Sequence, residues 1–182
     1  MSFVYGLLLC LALTPTTISP DQLRFAELQK QANAGDPRAQ LWLGAAYQRG
    51  IGVKRDEGTA VAWFLRSASA GNPDAQNSLG QSYEEGSGIH RDYAQAARWY
   101  HMACENRPDY GGAGQGCNNL GLLYFYGKGV PKDYALAYIY AREARNQEQA
   151  ELCATHLTAA ARRRAERRYK NWLRLHAEKE SH

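Results

Sequence analysis

AQLWLGAAYQRGIGVKRDEGTAVAWF, residues 39–64, ends one helical pattern on a pair of glycines and opens another on an aspartate. Ala39, Leu43 and Tyr47 recur every four residues, the spacing of one face of a helix. Gly50 and Gly52 then stop that helix, because glycine enters the left-handed conformation without strain. Asp56 stands where the N-cap of a second helix belongs. The stretch therefore reads as helix, tight loop, helix.

The same reading returns twice. AQNSLGQSYEEGSGIHRDYAQAARWY, residues 75–100, carries LG, Tyr, GxG, Asp, Ala and an aromatic residue at an offset of 36: Gly44 to Gly80, Tyr47 to Tyr83, Asp56 to Asp92, Ala60 to Ala96, Trp63 to Trp99. GCNNLGLLYFYGKGVPKDYALAYIYA, residues 116–141, carries them again, now 41 positions on, as Gly80 to Gly121 and Asp92 to Asp133 show. A period of this size means a stacked array of supersecondary units, none of which buries its apolar face alone. Asp92 followed by Gln95 has the form of a capping box. Gly44, Gly80 and Gly121, with Ala60, Ala96 and Ala137, are expected to let the two helices of each unit approach closely.

The flanks read as partial units. LRFAELQKQANAGDP, from Leu23, mirrors WFLRSASAGNPD, from Trp63, with Gly35 at the place of Gly71. Ser19, Pro20 and Gln22 supply an N-cap, an N1 proline and an N3 partner for that half repeat. After the third copy the LG and GxG signals stop. One long terminal helix is predicted there, from roughly Glu148 to Glu178, with Leu157, Ala161, Ala165, Tyr169 and Trp172 as its apolar stripe.

This combination resembles the Sel-one-like repeat family, a relative of the tetratricopeptide repeats, over roughly Ala39 to Glu143. The resemblance implies an all-α fold: a right-handed α-solenoid of about three helix-loop-helix repeats with N- and C-terminal capping helices. The expected division is a leader over 1–19, a solenoid over 20–146 and a basic capping helix over 147–182. Within the solenoid, a half repeat at 20–35 precedes repeats at 36–71, 72–107 and 113–146.

The larger offset of the third copy is an insertion of five residues, placed in the glycine-rich run between Met102 and Tyr124 that holds Gly111, Gly112, Gly114 and Gly116. In register, Cys104 falls where Ala68 stands and Cys117 where Gln76 stands. A secreted, cysteine-rich bacterial branch of the family places a disulfide there, and GCNNLG is similar to its motif. The resemblance thus implies a Cys104–Cys117 bridge, against the alternative of two separate buried thiols. Such a bridge closes a loop of about fourteen residues and offsets the freedom of the glycines by about 3 kcal/mol. Cys153 reads as a small buried side chain of the terminal helix.

Composition narrows the function. With 45% hydrophobic and 22% charged residues the chain is ordinary for a folded soluble protein, and disorder throughout is excluded. The net charge of +4 is local. Arg162, Arg163, Arg164, Arg167, Arg168, Lys170 and Arg174 crowd one end. Arg163, Arg167, Lys170 and Arg174 follow helical spacing and read as a solvated face of the capping helix, ahead of an acidic protein partner and, last, nucleic acid. The apolar run Phe3–Leu13 is too short to span a bilayer as a helix and suits the core of a secretory signal. A cut after Ser19, a cut after Ala12, an uncut anchor and a greasy cytosolic N-terminus all remain open, while Leu9 before Cys10 departs from the lipoprotein pattern. A periplasmic or secreted protein is expected, with no transmembrane span in its mature form.

No catalytic residue, cofactor site or metal site is nominated. His90, His101, His156, His176 and His182 are scattered, without H-E-x-x-H or zinc-like pairing. There is no G-x-S-x-G elbow, and GKGVPKD lacks the order of a phosphate loop. Penicillin binding or a β-lactamase-like activity is an alternative implied by the cysteine-rich relatives alone.

A partner protein is expected instead. Solenoids of helical hairpins place their first helices on the concave side. Positions there facing away from the framework are Leu41, Ala45 and Gln48, then Asn77, Gln81 and Glu84, then Asn118, Leu122 and Phe125. They vary while the framework repeats, as on a binding face and equally on an unconstrained surface. Asparagine and glutamine suit a peptide backbone, and Leu122, Phe125 and Tyr126 would seat a hydrophobic anchor unless the terminal helix folds back over them. The resemblance implies an envelope adaptor or regulator that binds a complex, or an immunity protein that binds a secreted toxin or effector.

Overall fold

Most of the described helices start and stop on local capping chemistry. The computed structural model describes residues 19–106 and 112–179, so the expected leader and the residues around Asp109 lie outside the described residues. These form α1 (Pro20–Asn33), α2 (Pro37–Arg49), α3 (Glu57–Ser69), α4 (Pro73–Glu85), α5 (Tyr93–Glu105), α6 (Gly112–Tyr126), α7 (Tyr134–Glu143), α8 (Gln147–Thr155) and α9 (Ala159–Lys179). No strand occurs among the described residues, and none of the helices is long and apolar enough to cross a membrane.

The caps are those the residue types demand. Ser19 and Gln22 form a reciprocal capping box on α1, with Pro20 just inside. Asp56, Asp92 and Asp133 each accept backbone N–H groups in the first turn of the following helix. Asp56 is held below the ordinary carboxylate range, first by the Thr59 N–H and then by the Thr59 hydroxyl. Gly50 and Gly86 cap α2 and α4 in the left-handed conformation, at φ 74° and 80°.

From α1 to α8 each helix packs on the next, and α4 also packs on α6 and α7 on α9. This is the all-α solenoid of repeats. The framework residues Leu43, Phe64, Leu79, Tyr100, Leu120 and Tyr138 are fully buried between the pairs. A Cβ at Gly80 would sit 2.6 Å from the Tyr100 ring and one at Gly44 would sit 2.7 Å from the Phe64 ring. The glycine of LG therefore makes room for the aromatic residue of the second helix, and the Ala60 carbonyl, 3.1 Å from a Cβ at Gly44, marks the close approach of the two helices that was expected.

The second glycine of GxG has a separate task. Gly88, at φ 72°, lies so close to the N-terminus of α3 that a Cβ would collide with the Glu57 carbonyl and lie 2.8 Å from the Gly58 nitrogen. Gly52 meets Asp21 and Phe25 of α1 in the same way, and Gly129 meets Tyr93 and Ala94 of α5. These contacts join one repeat to the preceding one.

The described part of the glycine run is not a loop. Gly112, Gly114 and Gly116 belong to α6. Gly116 allows close approach instead, since a Cβ there would lie 2.6 Å from Ala103 Cβ and 3.1 Å from the Cys104 nitrogen.

The single terminal helix expected from Glu148 is two helices. His156 caps α8 and Thr158 opens α9, its hydroxyl accepting the Ala161 N–H at 3.2 Å. The α7–α8 turn copies the earlier ones: Arg145 N–H donates to the Arg142 carbonyl and Asn146 N–H to Ala141, as Gly71 does to Ala68 and Asn72 to Ser67. Arg145 takes the left-handed conformation at φ 58°, where Gly35 and Gly71 stand in the other turns. Thus α8 stands where the first helix of a further unit belongs, while α9 packs on α7 and closes the end of the stack. Ala165 is buried there, and Leu157, Ala161 and Tyr169 are half-buried; the side chain of Trp172 lies outside the described residues.

Candidate functional site

First helices of successive repeats bring their polar positions together on one side. Gln81 of α4, Gln115, Asn118 and Asn119 of α6, and Asn146, Gln147 and Glu148 at the start of α8 line an open groove of about 800 Å³. Its walls are amides, which both donate and accept, and such groups match a peptide backbone without requiring a particular side chain.

Four of these six amides are held in clasps between helices. Asn77 is buried and donates to Gln115 Oε1 at 3.2 Å while accepting from Asn119 Nδ2 at 3.0 Å, which ties α4 to α6. Asn146 donates to Asn118 Oδ1 at 2.7 Å and accepts the Gln149 N–H, so the cap of α8 also positions α6. Gln81 is exposed at the groove, where it is free to meet a partner.

Of the positions singled out by pattern, the structure therefore brings Gln81 and Asn118 into one groove. Asn77 lies beneath it as a clasp between helices. Glu84 accepts a hydrogen bond from Tyr100 Oη at 2.8 Å, and burial first, then this bond, raises the phenol far above its ordinary pKa. Phe125 packs edge-on against Tyr126, Tyr134 and His156, each with centroids 5.1–5.3 Å away. The chain at the end of α8 thus covers it. Leu122 is half-buried, while Tyr126 stays 57% exposed. Gln115, Asn119, Gln147 and Glu148 were not indicated by the repeat pattern, although Asn146 is in register with the cap Asn72.

Beside the groove, Cys104 and Cys117 form the disulfide, joining the end of α5 to α6. In the two earlier repeats the equivalent pairs make a hydrogen bond: Gln40 Nε2 to the Ala32 carbonyl at 3.2 Å, and Gln76 Nε2 to Ala68 at 3.1 Å. The bridge replaces this clasp at the one seam that carries an insertion. Cys153 is a free, buried thiol that burial pushes up to about 11.

The basic helix is partly engaged. Arg162 pairs with Glu151 at 3.2 Å and with Glu166 at 3.4 Å, and Glu151 is the main reason that its pKa is raised. Arg142 donates to Tyr138 Oη and lies over the rings of Tyr138 and Tyr169. Arg163, Arg167, Lys170 and Arg174 stay exposed on the opposite face.

Three segments of the chain, residues 37–72, 73–107 and 114–148, match the family described as Sel1 repeat. A protective antigen present in uropathogenic Escherichia coli strains, displaying an SLR fold, is 35% identical over 75% of this chain and 28% of its own, with a TM-score of 0.65. A Sel1 repeat protein from Oxalobacter formigenes is 34% identical over 69% of this chain and 49% of its own, with a TM-score of 0.63. The chain thus spans less than half of the length of either relative. No curated protein matches it.

Proposed function

The chain belongs to the Sel1 repeat family, built as a protein–protein interaction module, and from that premise we propose that it binds an extended segment of a partner protein in the amide-lined groove of α4, α6 and α8. The observation that carries this reading is the arrangement of the amides. Asn77, Asn118 and Asn146 fix the helices to one another, while Gln81, Gln147 and Glu148 are exposed around a groove wide enough for a peptide backbone. The module works without catalysis, in the cell envelope or outside the cell. It holds a partner complex together as an adaptor, or it neutralises a secreted toxin as an immunity protein.

Affinity capture from the native envelope and secreted extract tests this. The folded, oxidised chain is compared with Gln81→Ala and Glu148→Lys, two exposed positions whose change leaves the helix clasps intact. A partner retained by the parent chain and lost from both variants supports the groove. A toxin among such partners supports immunity and an assembly component supports the adaptor role. Retention of nothing, or equal retention by both variants, overturns the reading.

A further inference from the structure

Cys104 near the end of α5, Cys117 in α6 and Glu143 at the end of α7 converge at the seam between the second and third repeats. All three are buried. Glu143 Oε2 lies 3.3 Å from Cys104 Sγ and 3.8 Å from Cys117 Sγ, and the three ligand atoms all lie within 4.8 Å of one another. In the oxidised chain neither sulfur has a proton to give, so neither sulfur–carboxylate contact is a hydrogen bond. The juxtaposition makes better chemical sense around a cation. Tetrahedral zinc, with Zn–S about 2.3 Å and Zn–O about 2.0 Å, sets sulfur and oxygen ligands about 3.5 Å apart. The two observed separations bracket that spacing.

The site also has an approach. A cavity of about 170 Å³ is lined by Cys104, Glu143 and Arg168, together with Ile139 and Tyr140. It has room for water as a fourth ligand.

We propose that, once the bridge is reduced, Cys104, Cys117 and Glu143 form a binding site for a thiophilic divalent cation of the zinc class. A dithiol of the thioredoxin kind supplies the two electrons and two protons. The S–S bond breaks, both cysteines become thiols, and the reductant leaves as its own disulfide. Binding of the cation then releases both thiol protons to solvent and forms two metal–thiolate bonds beside the Glu143 carboxylate. Two thiolates and a carboxylate carry one more negative charge than the cation neutralises, and Arg168 in the cavity wall balances it. The same side chains thus staple the inserted seam in oxidising and in reducing surroundings, by a bridge in one and by a metal in the other.

The test is a titration of the full chain with Co²⁺, a coloured stand-in for zinc, after reduction by a phosphine that does not itself supply thiol ligands. One equivalent per chain is expected, with a thiolate-to-metal charge-transfer band that is absent from the oxidised chain and from Cys117→Ser and is unchanged in Cys153→Ala. Loss of an outer-shell partner already weakens metal sites about 10-fold or more, so Glu143→Gln should weaken binding by at least about that factor. X-ray absorption of the zinc-loaded parent chain gives an answer independent of any variant, two sulfur scatterers with the remainder oxygen or nitrogen. The proposal is overturned if the band is absent, if it persists in Cys117→Ser, if Glu143→Gln binds as tightly as the parent chain, or if more than two sulfurs are counted.

Discussion

The two glycines of GxG should differ in what they cost to replace, and Gly86→Ala against Gly88→Ala measures the difference. Both residues are left-handed, at φ 80° and 72°, so alanine at either carries the same backbone penalty of about 1–2 kcal/mol. A Cβ at Gly86 would meet Arg91 Cβ at 3.2 Å, a contact that a shift of a few tenths of an ångström in the exposed loop at Arg91 relieves. A Cβ at Gly88 would collide with the backbone of Glu57 and lie 2.8 Å from Gly58 N, at the first turn of α3, where relief requires moving the helix that the preceding repeat contributes. Overpacking of that kind adds about 1–3 kcal/mol. For a chain of this size each kcal/mol shifts Tm by about 2–4 °C, so Gly88→Ala should melt about 2–12 °C below Gly86→Ala. Thermal unfolding followed by far-UV circular dichroism reads this directly. Equal melting points would refute the assignment of the second glycine to repeat stacking and leave it as a helix terminator like the first.

Replacing the bridge by the pair Cys104→Ala and Cys117→Ala should cost about 3 kcal/mol of the denaturant-extrapolated stability, the loop-closure value for about fourteen residues; no change would show that the seam is held without it. Tyr100 makes a pH prediction. Its folded pKa lies above the unfolded value of 10.0, so its contribution is fully present below pH 10 and is lost as pH rises from there toward the folded value. Tyr100→Phe should therefore flatten part of the alkaline loss of stability in urea titrations, and an unchanged slope above pH 10 would contradict the buried Tyr100–Glu84 bond. Cys153, buried with its thiol pushed up to about 11, should react with iodoacetamide in the native chain far more slowly than after unfolding. Labelling at similar rates in both states would contradict its burial.

Most of the fold was legible because it repeats. The caps Asp56 and Asp92, the left-handed Gly50 and the capping box at Ser19 follow from residue types at fixed offsets, and each is a local event within one turn of helix. Register arithmetic also put Cys104 opposite Ala68 and Cys117 opposite Gln76, the two ends of a clasp that elsewhere is a glutamine bonded to a carbonyl. The stacking contacts of Gly52, Gly88 and Gly129 were not legible. A period says which residues are equivalent, but it does not say what the neighbouring repeat presents to them.

The groove lies between these cases. Gln81 and Asn118 were found as variable positions on the first helices, while Asn77, chosen by the same rule, is a buried clasp. Side-chain direction separates them, and that depends on how closely α4 approaches α6. The glycines in the first turns of α6 misled in the same way: Gly116 looks like a flexible link, yet it is the small residue that close packing against Ala103 requires.

The terminal unit shows where periodicity loses its hold. α8 was hidden because the LG and GxG residues that mark the repeat are missing, although burial and the left-handed turn before the helix are kept. Counted from the caps Asn72 and Asn146, Cys153 stands at Leu79 and Ala154 at Gly80, both still buried, and Arg145 stands at Gly71 with the same positive φ. An arginine in that conformation is disfavoured by sterics, so it signals no turn in a sequence. It is held by the same pair of backbone hydrogen bonds that the glycine turns make. Alignment on N-caps would have extended the repeat where alignment on glycines ended it, because a cap must satisfy free N–H groups at every helix start, whereas a glycine is needed only where nothing else enforces the turn.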